Sequence, residues 1–347
     1  MRVVARCLLL GAGLAVGMTA LVIAATPVRA AERWIDAEPT AQRVPSLWKE
    51  GTVATLREMG RSFVRIATDG KAHPTVAAMR GLAPTVDARK QFVKVLLRVQ
   101  GFENLSGIEV RVGSDSLESS WYAYTMPLYG DLDYNLLQDG AWTAVTMSLG
   151  ASNAVGKPDR GAIDSLGILV SDKGKGGVQL DFGGFAVVDE PAEGVVSFTF
   201  DDGYKEHLSA AKLLAERGWR GTAYVIPETI GASIYLTLAD LAEIQRLGTD
   251  VAAHDDPPFT QLAPNDLEPR LRGIQSFLVE HGYALGAQHL AYPLGKQETR
   301  RVRPTVNKLF ATARLAGSGP ETLPPADPHL LRAWNVTAST TPEQVGE

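Results

Sequence analysis

The chain has 347 residues, 45% hydrophobic and 21% charged, the proportions of a globular protein long enough for two domains. Its net charge of −5 and its lack of a basic run exclude a nucleic-acid binder that works by neutralising phosphates. A single cysteine, Cys7, excludes an intramolecular disulfide.

Residues 1–30 read as an export signal. Arg2 and Arg6 give a positive start, residues 7–25 carry no charge, and Val28-Arg29-Ala30 sets small residues three and one before a cut ahead of Ala31. The alternative is a membrane anchor, because this uncharged run approaches the ~20 residues that span a bilayer. Gly11, Gly13 and Gly17 dilute the run and a cleavage-like site follows it, so cleavage is the expectation. The mature chain is then expected to be secreted or held in the cell envelope, touching a membrane only if the segment stays uncleaved.

Residues 31–190 read as an all-β sandwich or jelly roll. In 91–99 (QFVKVLLRV), Val93, Val95, Leu97 and Val99 share one face; in 108–112 (IEVRV), Ile108, Val110 and Val112 point one way and Glu109 and Arg111 the other. Residues 121–128, 142–149, 164–170 and 178–188 alternate in the same manner, which is the signature of half-buried strands. Gly113-Ser114-Asp115, Asp139-Gly140 and 173–177 supply turns. Trp121, Tyr122, Tyr124 and Trp142 can serve either as core or as a sugar-stacking platform, and core is favoured because aromatics dominate cores. Asp159, Asp164 and Asp172 lie in loop-like contexts, but their spacing fits no compact calcium loop.

From Pro191 onward the pattern changes to strand–helix alternation, which implies parallel strands with crossover helices. Residues 195–200 (VVSFTF) form a continuous apolar run, expected to be a strand buried on both faces. A helix follows with Leu208, Ala211 and Leu214 on one stripe, then a strand at 221–226 and a helix at 237–247 opened by a Thr237/Asp240 capping pair. Strands at 250–254, 289–293, 310–315 and 330–335, a helix at 264–281, and a helix starting at 341–343 complete about six strands. A closed eight-stranded barrel needs more chain than this, so the expected barrel is incomplete.

Chemistry concentrates where these strands end. Thr199-Phe200-Asp201-Asp202-Gly203-Tyr204 puts two adjacent acids at the C-terminal end of a strand, where α/β barrels build their sites. Neighbouring carboxylates repel unless a proton or cation compensates, so one can bind a metal while the other moves protons. A plain turn is the competing reading, with Asp-Gly as a loop marker and Asp202 as a helix cap. Asp250-Val251-Ala252-Ala253-His254-Asp255-Asp256 ends a second strand with a histidine and two acids, and Ala291-Tyr292-Pro293-Leu294-Gly295 ends a third.

In this order and spacing the three segments resemble the polysaccharide deacetylases, the NodB-homology domain of carbohydrate esterase family four. Thr199 to Gly203 matches that family's first motif, T-F-D-D-G, at every position; His254 matches the first histidine of its second motif; and Tyr292-Pro293-Leu294-Gly295 is similar to the Y-P-x-G form of its third. The resemblance covers roughly residues 190–347. It implies a distorted (β/α) barrel that removes acetyl groups from an N-acetylated amino-sugar polysaccharide or another acetylated, peptidoglycan-like glycan. It also implies a divalent metal, zinc being expected, with cobalt or iron as alternatives. Asp201 becomes the base that takes a proton from water, with Asp202 and His254 as metal ligands. Tyr204, Tyr292, Pro293, Leu294 and Gly295 become groove wall and oxyanion support, a backbone N–H there being worth ~2.7–4 kcal/mol.

Three departures accompany the match. Pro258 stands where the family has a second histidine, so Asp255 or Asp256 is expected as substitute third ligand. The third-motif arginine that orients the base is missing from Leu290-Ala291-Tyr292. No histidine follows His329 to act as the late general acid, and the Pro-rich context of His329 does not suit it for that role. The alternative function is therefore a secreted glycan-binding protein that keeps the fold with little turnover.

Overall fold

The structure is a computed structural model and describes residues 32–36, 38–39, 51–319, 321–337 and 339–341. The export segment, and the helix expected from Thr341 apart from that residue itself, lie outside the described residues. Among the described residues no helix is long and apolar enough to cross a membrane.

Among the described residues eleven strands come first: β1 (Glu32–Asp36), β2 (Thr52–Glu58), β3 (Arg61–Ala67), β4 (Thr75–Met79), β5 (Gln91–Gln100), β6 (Leu105–Gly113), β7 (Trp121–Thr125), β8 (Thr143–Met147), β9 (Asn153–Val155), β10 (Ser165–Asp172) and β11 (Gln179–Asp189). They make two antiparallel sheets, one in the order β2-β3-β11-β5-β8 with β1 added on β11, the other β4-β10-β6-β7-β9. The alternation foreseen in the sequence is what packs them. Val64, Ile66, Val93, Val95, Leu97 and Val99 of one sheet meet Ile108, Val110, Val112, Leu166, Ile168 and Val170 of the other, all nearly inaccessible to solvent. Each such side chain contributes ~1.5–3 kcal/mol by leaving water. Tyr122 and Tyr124 pack against this core, whereas Trp121 lies under the Arg111 guanidinium, 5.0 Å from it, and Trp142 under that of Arg98. The three loop acids act separately as backbone anchors: Asp159 accepts from the Gly161 N–H, Asp164 from that of Ser116, and Asp172 from those of Gly70, Ala72 and Gly174.

The remainder holds β12 (Phe198–Phe200), α1 (Glu206–Glu216), β13 (Gly221–Val225), α2 (Leu238–Arg246), β14 (Asp250–Ala253), α3 (Leu267–Glu280), β15 (His289–Ala291), α4 (Val302–Leu309), β16 (Thr312–Ser318) and β17 (Leu331–Ala333). The strands follow chain order, β12-β13-β14-β15-β16-β17, every neighbouring pair parallel. This is an open, curled half-barrel whose edges are β12 and β17. The capping pair is present: Thr237 Oγ1 accepts from the Asp240 N–H, and the Asp240 carboxylate accepts from the Thr237 N–H at 2.9 Å. One expectation fails. The apolar run at 195–200 is not buried on both faces; Val195 and Val196 are 71% and 75% exposed, and only 198–200 pair. β12 is the edge strand, so residues 198–200 are only half-buried, Phe198 stacking on Trp219 at 5.7 Å.

The two parts pack at the mouth of the half-barrel. Gln297, fully buried, donates its backbone N–H to the Asp133 carbonyl and its side-chain amide to the Asn135 carbonyl, both at 2.9 Å. Lys296 pairs with Asp131 at 2.7 Å, and the hydroxyls of Thr146 and Thr322 meet at 2.6 Å.

Candidate active site

The centre lies at the C-terminal ends of β12, β14 and β15, beside Arg314 in the first half of β16. The chain leaves β12 through Asp202 and Gly203, both left-handed at φ 75° and 82°. Glycine takes that conformation freely, but for an aspartate it costs of order 1–3 kcal/mol and persists only where the surroundings impose it. The turn aims the Asp202 carboxylate at His254, whose Nε2 lies 3.2 Å from Oδ1. His254 is 3% exposed, and its Nδ1 lies 2.8 Å from the Ala291 carbonyl. A carbonyl only accepts, so Nδ1 carries the hydrogen and Nε2 is the atom left for Asp202. Burial works to lower the imidazole, but the Asp202 hydrogen bond, the Asp201 charge and the Ala291 carbonyl together raise it above its ordinary value. The same hydrogen bond holds Asp202 below the usual carboxylate range.

Asp201 turns the other way, to Arg314. The guanidinium bonds an Asp201 oxygen through Nη2, donates from Nη1 to the Leu315 carbonyl at 2.8 Å, and lies 4.9 Å from the centroid of the Tyr224 ring. Arg314 stands on β16 directly beside Ala291 of β15. The third segment holds no arginine, and the one that pairs with Asp201 stands on the next strand. This residue escaped the sequence reading, yet a signal was there: a lone charge inside the apolar strand Phe310-Ala311-Thr312-Ala313-Arg314-Leu315 requires a buried partner.

The other expected site residues divide. Tyr204 is 36% exposed and stacks on Tyr235, ring centroids 5.1 Å apart, at the rim beside Asp202. Leu294 is 66% exposed on the turn that follows β15, with φ 53°, while Pro293 and Gly295 are buried beneath it. A side chain on Gly295 would come within 2.8 Å of Tyr134, so the sandwich itself braces this turn. Tyr292 must be corrected: it is 1% exposed, its ring belongs to the core, and burial pushes its hydroxyl well above the ordinary phenol range. It is flanked by Ala291 and Pro293, both buried, so the whole exit from β15 runs inside and only Leu294 reaches the surface. Asp255 must also be corrected. Its carboxylate is 0% exposed and paired with Arg270 of α3 through both Nε, at 2.8 Å, and Nη2, so it serves the helix and not the centre. Asp256 is exposed on the following turn, its N–H donating to Asp255 at 2.8 Å.

The family model for polysaccharide deacetylase matches residues 189–313. This stretch is a polysaccharide deacetylase domain. No curated relative matches the chain. Among solved structures, the chain is similar to a deacetylase of Streptococcus pyogenes in complex with acetate, with 20% identity, a TM-score of 0.41, and 45% of this chain and 70% of that one covered. It is similar to a polysaccharide deacetylase from Bacillus cereus, with 11% identity, a TM-score of 0.38, and coverage of 86% and 99%. A family 11 carbohydrate-binding module from Clostridium thermocellum, in complex with a β-1,3-1,4-mixed-linked tetrasaccharide, matches with 11% identity, a TM-score of 0.35, and coverage of 46% and 95%.

The deacetylase domain offers a cation two donors. Asp202 Oδ1 and His254 Nε2 face each other as acceptors once the imidazole is neutral, an arrangement that suits a proton or a divalent ion between them, with the Ala291 carbonyl fixing the ring as metal-bound histidines require. Catalytic zinc centres use three protein donors. Among the described residues no group of three or more His, Cys, Asp or Glu is arranged to hold a metal.

Proposed function

We propose that the chain is an exported hydrolase that removes acetyl groups from an N-acetylated amino-sugar polysaccharide at Asp201, Asp202, His254 and Arg314. The observation that carries this reading is the division of labour between adjacent acids: Asp201 is clamped by Arg314 yet 34% exposed at its side chain, while Asp202 is turned to His254. Asp201 takes a proton from a water that attacks the acetyl carbon. As the C–N bond breaks, that proton passes to the departing nitrogen, so the acetamido group and water give acetic acid and amine, which part as acetate and ammonium. Arg314 fixes the carboxylate's direction, and a backbone N–H of the Leu294 turn is the group assigned to the developing oxyanion. The Tyr204–Tyr235 stack offers a rim for a sugar ring. Asp202 and His254 are the residues that would hold a divalent ion, zinc before cobalt or iron; when bound, such an ion polarises the acyl oxygen and acidifies water toward pKa ~7.

Acetate release from N-acetylchito-oligosaccharides, with zinc or cobalt added, tests the reading. Release by the native chain with loss in Asp201→Asn is expected; equal background from both ends the catalytic claim. The single-pair donor set favours a second reading, a glycan binder with little turnover. Glycan affinity indifferent to chelator and to Asp202→Asn, without acetate release, selects it. Export is tested by sequencing the N-terminus of the mature protein, which is expected to begin at Ala31.

A further inference from the structure

The outer face of the first sheet carries a cavity of about 380 Å³ remote from the acid centre, lined by Glu58, Met59, Phe63, Leu96, Arg98 and Trp142 among others. Small-molecule sites span ~300–1,000 Å³. Beneath it, Asp181 is 0% exposed and accepts from Arg65 at 2.7 and 2.9 Å and from Arg98 at 2.9 Å, and Arg98 also donates to Glu58 at 2.7 Å. The Arg98 guanidinium lies 4.6 Å from the Trp142 ring, and Phe63 meets that indole edge-on at 5.8 Å. The bulge in β11 at Phe182–Gly184 makes room for it: a side chain on Gly183 would come within 2.9 Å of Trp142. The arginine fork is therefore spent inside the protein. The cavity wall is the braced indole and Leu96, with Phe63, 5% exposed, beneath them, Arg98 and Arg61 beside them, the half-exposed Glu58 carboxylate at the rim and Met59, 99% exposed, at the β2–β3 turn.

We infer that this cavity is a second glycan site, which takes a sugar unit of an N-acetylated hexosamine polymer. Flat apolar surface beside hydrogen-bonding groups matches a pyranose, which has C–H faces and a rim of hydroxyls. Arg98 is already held by Asp181 and Glu58, and Arg61 stands opposite Glu58 at the same wall, so the rim carries both signs of charge. The sugar chemistry stands on the cavity alone; the choice of an N-acetylated polymer rests on the deacetylase reading. A second grip on a polymer raises the local concentration of acetylated units at the acid centre without new contacts there.

The test is calorimetric titration of the Asp201→Asn chain with N-acetylchitohexaose, so that nothing is turned over. Trp142→Ala in that background is expected to remove one binding event per chain, whatever number the catalytic groove contributes. Met59→Ala, a truncation of a side chain that packs on nothing, is expected to weaken the same event about threefold and decides the matter alone if Trp142→Ala does not fold. Unchanged affinity and stoichiometry in the variants overturn the inference, as does an absence of any binding. If acetate release fails while Trp142-dependent binding persists, only the catalytic reading falls.

Discussion

The two parts of the molecule each pair an aspartate with arginine over an aromatic ring, and they use the motif to opposite ends. In the sandwich, Asp181 is fully buried and saturated by two arginines, one of them lying on Trp142. In the deacetylase domain, Asp201 has one arginine, lying on Tyr224, and keeps a third of its side chain open. A carboxylate whose oxygens are all occupied can only hold structure; one fixed on a single side has an oxygen left for a proton. The difference in saturation, not in residue type, separates a strut from a carboxylate free to take a proton.

Breaking the saturated pair should have the largest effect. Asp181→Ala leaves Arg65 without its carboxylate and Arg98 with Glu58 alone, and is expected to destabilise the chain by about 3–5 kcal/mol, read in denaturant unfolding; a loss near zero would show that the pairing is incidental. Chelation should come next. Dialysis against a chelator is expected to lower turnover at least ~10²-fold, since an ion supplies several kcal/mol, with recovery on adding zinc or cobalt. With two protein donors the ion should have to be present in the medium, and turnover indifferent to chelator would remove it from the account. Arg314→Lys is expected to lower kcat about 10–100-fold with little change in KM, because an ammonium cannot hold the carboxylate as the planar fork does; a change confined to KM would make Arg314 a substrate contact.

The smallest effect concerns His207 in the first turn of α1. Burial lowers its imidazole below the ordinary value, against the pull of Asp201, Asp202 and Glu206, and its Nδ1 is buried without a partner. The unfolded chain then binds this proton at higher pH than the native one, so stability is complete above the ordinary imidazole value and falls as pH drops through it. His207→Leu should make the fall in melting temperature between about pH 7 and pH 5 shallower; an unaltered slope would assign the acid loss elsewhere.

Much of this was legible in the sequence where the signal is local. Period-two alternation gave the inner faces of β5, β6, β10 and β11, and the five residues Thr199–Gly203 with His254 gave the acids and the histidine that meet. What was hidden depends on long-range pairing. β4 is buried along its whole length, so no alternation marks it. The role of Arg314 follows from β16 lying against β15, which no window of sequence contains. Asp255 looked like a ligand beside His254 because its partner, Arg270, comes from a helix fifteen residues later. Tyr292 looked like groove because a turn follows it, but its ring packs into the core formed by distant segments.

The account stands or falls on Asp201 and Arg314 working as one unit. The direct measurement is a double-mutant cycle on acetate release with Asp201→Asn, Arg314→Leu and the pair together. If the arginine acts through the carboxylate, the double variant will be no slower than Asp201→Asn alone. If the two losses multiply, Arg314 does something else, and the base held by a neighbouring strand is contradicted.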